Sequence, residues 1–168
     1  MNMKKIALLF LLCGCGITNN IVEQVSVPSY PEYLKTADAF VYLDERTHRS
    51  ELKAFMGIDP YVTEWCAAFV NSVLRVNSIP GSESVSENPL LARGFLDWGV
   101  GVDEPKLGDI VVFARGNQGW QGHVAIYIRT DIIDGKAQHL VLGGNQDDRV
   151  SYEYYSASTV LGYRRWID

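Results

Sequence analysis

The hydrophobic period changes once along this chain, and the change limits the folds open to it. Before the turn Pro105-Lys106-Leu107-Gly108-Asp109, apolar residues recur at helical spacing. After it they come in short β-forming runs. Ile110 to Phe113 reads as a buried strand and Gly122 to Arg129 as a second. Asp134-Gly135 is a two-residue hairpin signal. Gln138 to Leu142, Arg149 to Tyr154 and Val160 to Trp166 complete the series. Upstream, helices are expected over Tyr33 to Phe40 and over Arg49 to Met56, the second ended by Gly57. Two more are expected, one capped at Thr63 and running to about Arg75, the other opening at Asn88-Pro89 and closing at Gly99. Helices first and strands second predict an α+β fold, with N-terminal helices packed on an antiparallel meander of about five strands. A chain of 168 residues suits one domain with a real core.

The first residues are not part of that domain. Lys4-Lys5 followed by Ile6 to Leu12 reads as a secretory signal, too short to span a bilayer. Leu12-Cys13-Gly14-Cys15 resembles the bacterial lipobox, which implies lipidation at Cys15. The expected plan is a signal peptide over 1–14, a flexible tether over 15–31 and the folded domain over 32–168. Gly16, where an inner-membrane lipoprotein would carry Asp, implies the periplasmic face of the outer membrane. Loss of Lys4 and Lys5 leaves 13 basic against 20 acidic residues, a net charge of −7. No basic stripe is present, so nucleic acid is not expected as a partner. The expected membrane contact is through the lipid.

Beyond the leader, Cys66 is the one cysteine, so no disulfide framework can form within the domain. Cys66, Phe69, Val70, Val73 and Leu74 share one helical face, which starts just after Thr63-Glu64-Trp65. Free N–H groups and the positive end of the helix dipole favour a thiolate there. A thiolate needs a base, and His123 opens the second strand. If Asp134-Gly135 is a two-residue turn, paired positions sum to 269, and His123 faces position 146. A strict turn therefore brings up Gln146, and one bulged residue brings up Asn145 instead. Either amide could fix the imidazole tautomer by accepting from Nδ1. By the same sum His139 faces position 130, ~23 Å along the ladder at strand rise, and is expected at the surface near the hairpin. His48, among charged neighbours, reads as solvated. No metal or other cofactor is implied, because the three histidines and one cysteine have no ligand spacing.

A cysteine at a helix start packed on a sheet that carries a histidine is the papain-like arrangement. Four motifs then occur in order: Glu64-Trp65-Cys66-Ala67-Ala68-Phe69-Val70, Gly108-Asp109-Ile110-Val111-Val112-Phe113, Gly122-His123-Val124-Ala125 and Gly143-Gly144-Asn145-Gln146. Together they resemble the NlpC/CHAP superfamily of papain-like cysteine hydrolases, in particular a subgroup with Trp-Cys-Ala-Ala-Phe and Gly-Gly-Asn-Gln signatures. The resemblance implies peptidoglycan as partner and substrate, cut as an endopeptidase or an N-acetylmuramoyl-L-alanine amidase. It implies Cys66 as nucleophile, His123 as base and Asn145 as orienting residue, with Gly143 standing where CHAP domains often carry Glu. Trp65, Trp120, Tyr61 and Gln146 are candidates for a substrate cleft, and Asp109 reads as a turn-former. Two other readings stay open: an inactive domain that binds peptidoglycan, and an acyl-transfer enzyme on the same chemistry.

Overall fold

The computed structural model describes residues 30–167. The expected signal peptide, the expected lipidation site Cys15 and nearly all of the expected tether lie outside them. Three α-helices come first: α1 (Glu32–Asp38), α2 (Arg49–Met56) and α3 (Cys66–Val76). Six strands follow: β1 (Val100–Val102), β2 (Ile110–Ala114), β3 (Gly122–Ile133), β4 (Lys136–Gln146), β5 (Arg149–Ser156) and β6 (Val160–Arg165). The α+β expectation holds, with a sixth strand where five were expected. The additional strand is β1, whose three residues are too few to show a period.

All strand pairs are antiparallel, in the order β1-β6-β2-β3-β4-β5. The expected meander is kept from β2 to β5. It breaks at β6, which returns to lie between β1 and β2. That return is tied by Asp109, which is buried and accepts from Arg165 Nε and Nη2 at 2.8 and 2.7 Å. Asp109 is thus an ion-pair partner as well as a turn-former. The expected helix from Asn88 is a 3-10 helix over Ala92–Asp97. Phe95 and Trp98 are still buried there, as its apolar side requires.

Helix α3 is the centre of the main core. Cys66 through Leu74 are all buried, so the helix is enclosed on every side. Its polar residues are satisfied within that enclosure: Asn71 Nδ2 donates to the Pro89 carbonyl at 2.8 Å, and Asn71 Oδ1 accepts from Ser82 N at 2.8 Å. Ile110, Val112, Val124, Ile126 and Leu142 face the helices. A second, smaller core lies on the opposite sheet face, where Val111, Phe113, Ala125, Tyr127 and Val141 meet Tyr155, Val160 and Tyr163. The Phe113 and Tyr155 rings stack at 5.0 Å, although β3 and β4 lie between their strands. Strands pair at ~4.8 Å, so a flat sheet would hold those two backbones ~14 Å apart. The sheet therefore curls toward this face, and the curl brings β5 close to the start of β3.

Candidate active site

Cys66 is the first residue of α3, with Trp65 at the N-cap. The helix begins two residues later than a Thr63 cap would place it, and no side chain caps it. Cys66 thus stands at the helix mouth, where N–H groups lack intrahelical acceptors. The N–H groups of Val124 and Ala67 are directed at its sulfur. Val124 follows His123, so the thiol and the imidazole are carried by neighbouring backbone. Burial pushes the Cys66 thiol up; the N–H groups of Val124 and Ala67 and the charge of Arg115 oppose that, and Glu64 adds to it. The thiol is the neutral, protonated form in this setting.

His123 is fully buried at the start of β3, its ring stacked on Tyr155 at 4.9 Å and on Phe113 at 6.4 Å. Its Nε2 lies 3.0 Å from Gln146 Oε1. The tautomer follows from the far end of that amide. Gln146 Nε2 lies 2.6 Å from the Ser151 carbonyl oxygen, which can only accept. The amide oxygen must then face His123, and His123 must donate from Nε2. Nδ1 is left as the basic nitrogen, and it is the one buried side-chain polar atom among the described residues without a hydrogen-bond partner. Burial holds the imidazole down to about 4, opposed by the Gln146 bond and aided by Arg115. The imidazole is neutral, with a free lone pair on Nδ1 that makes no hydrogen bond to the Cys66 sulfur, and the thiol is protonated. Transfer of the thiol proton to Nδ1 would start from these two protonation states.

The amide that meets His123 is Gln146 and not Asn145, and the contacted nitrogen is Nε2 and not Nδ1. Two local features decide this. Pairs of β3 with β4 sum to 269 near the hairpin, as Thr130↔His139 does, and to 268 beyond it, as Ile126↔Leu142 does. Ile128 is the extra residue on β3, and β4 carries a second irregularity between Gly143 and Gln146, where its register with β5 shifts by one. Continued to His123, the new sum points to Asn145. Asn145, however, is left-handed at φ 58°, and its Nδ2 donates to Glu64 Oε2 at 2.8 Å. Its side chain is turned to the segment before Cys66, and Gln146 is the residue that projects inward. The space is made by Gly143, where a Cβ would come within 2.9 Å of Gln146 Oε1 and of Ala125 Cβ.

The two signature motifs are halves of one contact. A Cβ on Gly144 would lie 2.7 Å from Phe69 Cβ and equally deep in the Trp65 ring. Trp65 is fully buried, its indole N–H bonded to Glu45 Oε2 at 2.9 Å. It is therefore a core residue and not a cleft residue. Gln146 is also excluded from the cleft, being 2 % exposed behind His123. Tyr61 is exposed but lies under the Arg49 guanidinium, 5.1 Å from its carbon, outside the Cys66 cleft. Trp120 does line that cleft, and its ring is largely exposed at the rim. The cleft has a volume of about 420 Å³ and also takes in Leu90, Leu91, Glu64 and Arg115.

His139 is buried and not at the surface. Its Nδ1 pairs with Thr130 Oγ1 at 2.9 Å and its Nε2 with Tyr163 Oη at 2.7 Å. His48 lies half-buried against Asp44, 3.1 Å from Oδ2. Residues that sequence reasoning passed over are Arg115, Ser151 and Tyr155. Arg115 had a faint signal, as a lone cation between two glycine-flanked motifs. Ser151 and Tyr155 had none: Ser151 meets Gln146 through the pairing of β4 with β5, and Tyr155 meets His123 through the curl of the sheet. Among the described residues no three His, Cys, Asp or Glu side chains cluster as metal ligands. No described helix is long and apolar enough to cross a membrane.

No curated protein matches the chain. The CHAP domain pattern matches residues 58–145, slightly more than half of the chain, from the approach to α3 through Cys66 and His123 to Asn145, one residue short of Gln146. The chain belongs to the CHAP domain family.

Proposed function

We propose that this chain is a cysteine hydrolase of peptidoglycan, with Cys66 as nucleophile, His123 as base and Gln146 as orienting residue. CHAP domains are commonly peptidoglycan amidases or endopeptidases, and membership supports that substrate. The observation that carries the reading is the pairing state of His123. One nitrogen is held by an amide of defined orientation, and the other is buried with a free lone pair, on a residue whose chain neighbour Val124 acts on the Cys66 thiol through its N–H.

In the proposed reaction the Cys66 S–H proton moves to His123 Nδ1, and the sulfur attacks an amide carbonyl. Backbone N–H groups at the start of α3 stabilise the oxyanion. The imidazolium returns its proton to the departing amine as the C–N bond breaks, leaving a thioester. Water then gives a proton to Nδ1 and adds to the thioester carbonyl. The acid departs and the thiol is restored with that proton. Gln146 keeps Nε2 protonated throughout, so that Nδ1 is the nitrogen that cycles. Lipidation at Cys15 would hold the domain on the periplasmic face of the outer membrane, within reach of the wall.

Purified peptidoglycan digested with the wild type and with Cys66→Ala, with fragments read by mass spectrometry, tests the proposal. New fragments from the wild type alone are expected. Their masses separate amidase from endopeptidase. Identical profiles from the two proteins would refute hydrolysis.

A further inference from the structure

We propose that the cleft beside Cys66 takes a zwitterionic peptide segment, its carboxylate on Arg115 and its ammonium group on Glu64. This rests on the hydrolase reading and names a substrate class that it leaves open. The cleft is lined on one side by Leu90, Leu91 and Ala92 and carries one cation and one anion, Arg115 and Glu64. Arg115 is exposed and makes no hydrogen bond or ion pair with any described residue. Glu64 is also exposed, and its one partner is the neutral amide of Asn145, so its charge is uncompensated.

Elsewhere in this chain opposite charges that approach each other pair directly, as Arg49 does with Asp59, Arg129 with Asp131 and Arg165 with Asp109. Glu64 and Arg115 line one cavity, form no such pair, and both act on the Cys66 thiol with opposite sign. Both line the cavity that also takes in Cys66. A purely anionic ligand would meet Glu64 unfavourably, and an apolar one would leave both charges unmatched. A segment with an acid at one end and an amine at the other satisfies both and sets its direction in that cavity. A guanidinium can hold the carboxylate through two parallel N–H bonds. The cleft volume is in the range of small-ligand sites.

The test uses four synthetic muropeptides that share the muramoyl and peptide amides. They carry both charges, an acetylated amine, a carboxamide for the carboxylate, or both caps. Rates are measured on the wild type, Glu64→Gln and Arg115→Gln, and binding to Cys66→Ala is measured by calorimetry. Glu64→Gln keeps an acceptor for Asn145, so it removes charge and not the local bond. On the wild type each cap should lower kcat/KM by roughly 10- to 100-fold. The carboxamide penalty should vanish in Arg115→Gln and the acetyl penalty in Glu64→Gln. Equal rates for all four on the wild type would overturn the inference and leave the hydrolase reading standing. Charge-selective binding without any hydrolysis would do the reverse. Neither binding nor hydrolysis would overturn both.

Discussion

Two buried histidines lie on the same sheet, and they differ in one lone pair. Both have aromatic neighbours, and Phe113 lies 6.4 Å from each ring. His139 has a partner on each nitrogen, Thr130 and Tyr163. His123 has Gln146 on Nε2 and no hydrogen-bond partner on Nδ1. Burial lowers the proton affinity of both. Burial and aromatic packing therefore do not separate a base from a structural residue here. The unspent lone pair does, because a fully bonded imidazole has no site from which to take a proton.

The sharpest way to break this comparison is to remove each histidine in turn. On the proposed chemistry, His123→Ala should lower kcat/KM by ~10³-fold or more in a peptidoglycan digestion assay. An equal loss in His139→Phe, measured on folded protein, would end the distinction.

Acid stability should show the next largest effect. His123 ionises at about 4 in the folded protein against an ordinary 6.5. The stability that comes from keeping it neutral is whole above pH 6.5 and is lost as pH falls through about 4. The full difference corresponds to ~3 kcal/mol. Urea unfolding between pH 7 and pH 4 should record this fall, and His123→Phe should lack it. An unchanged acid limb in that variant would mean that His123 is not held neutral.

Gln146→Ala should cost ~10- to 100-fold in kcat/KM, because Nε2 then loses the acceptor that sets its tautomer. Asn145→Ala should cost less, as it removes a tie to Glu64 and leaves the amide on His123 in place. The reverse order of these two variants would restore Asn145 to the orienting role. The smallest effect belongs to His139→Phe, which removes the partner of Tyr163 and one of the two partners of Thr130. It should lower stability by ~1–3 kcal/mol in urea melts, with little change in the kcat of the folded fraction.

Much of the framework was legible before any tertiary structure. Helix α2 spans Arg49–Met56 and ends in a left-handed Gly57, as apolar spacing and the glycine indicated. Ile133 pairs with Lys136 around Asp134-Gly135, as the hairpin dipeptide indicated, and Thr130 stands opposite His139 as the sum requires. These features are set by neighbours a few residues apart. The site was legible less far. A register sum carries over short distances, and a single extra residue at Ile128 moves it by one. Trp65 looked available for a cleft because nothing in its own neighbourhood tells that Gly144 and Glu45 enclose it.

By itself, then, the sequence determined the order of helices and strands, the hairpin, the cysteine at a helix mouth and the histidine at a strand start. Periodicity and turn chemistry are short-range effects, and a linear string contains them. Tertiary structure decided which amide meets His123, which nitrogen it holds, why both nitrogens of His139 are bonded and which charges share the cleft with Cys66. Those depend on a bulge, a left-handed residue and a curled sheet acting together. The direction of a side chain is the sum of such long-range placements, and no single stretch of chain specifies it.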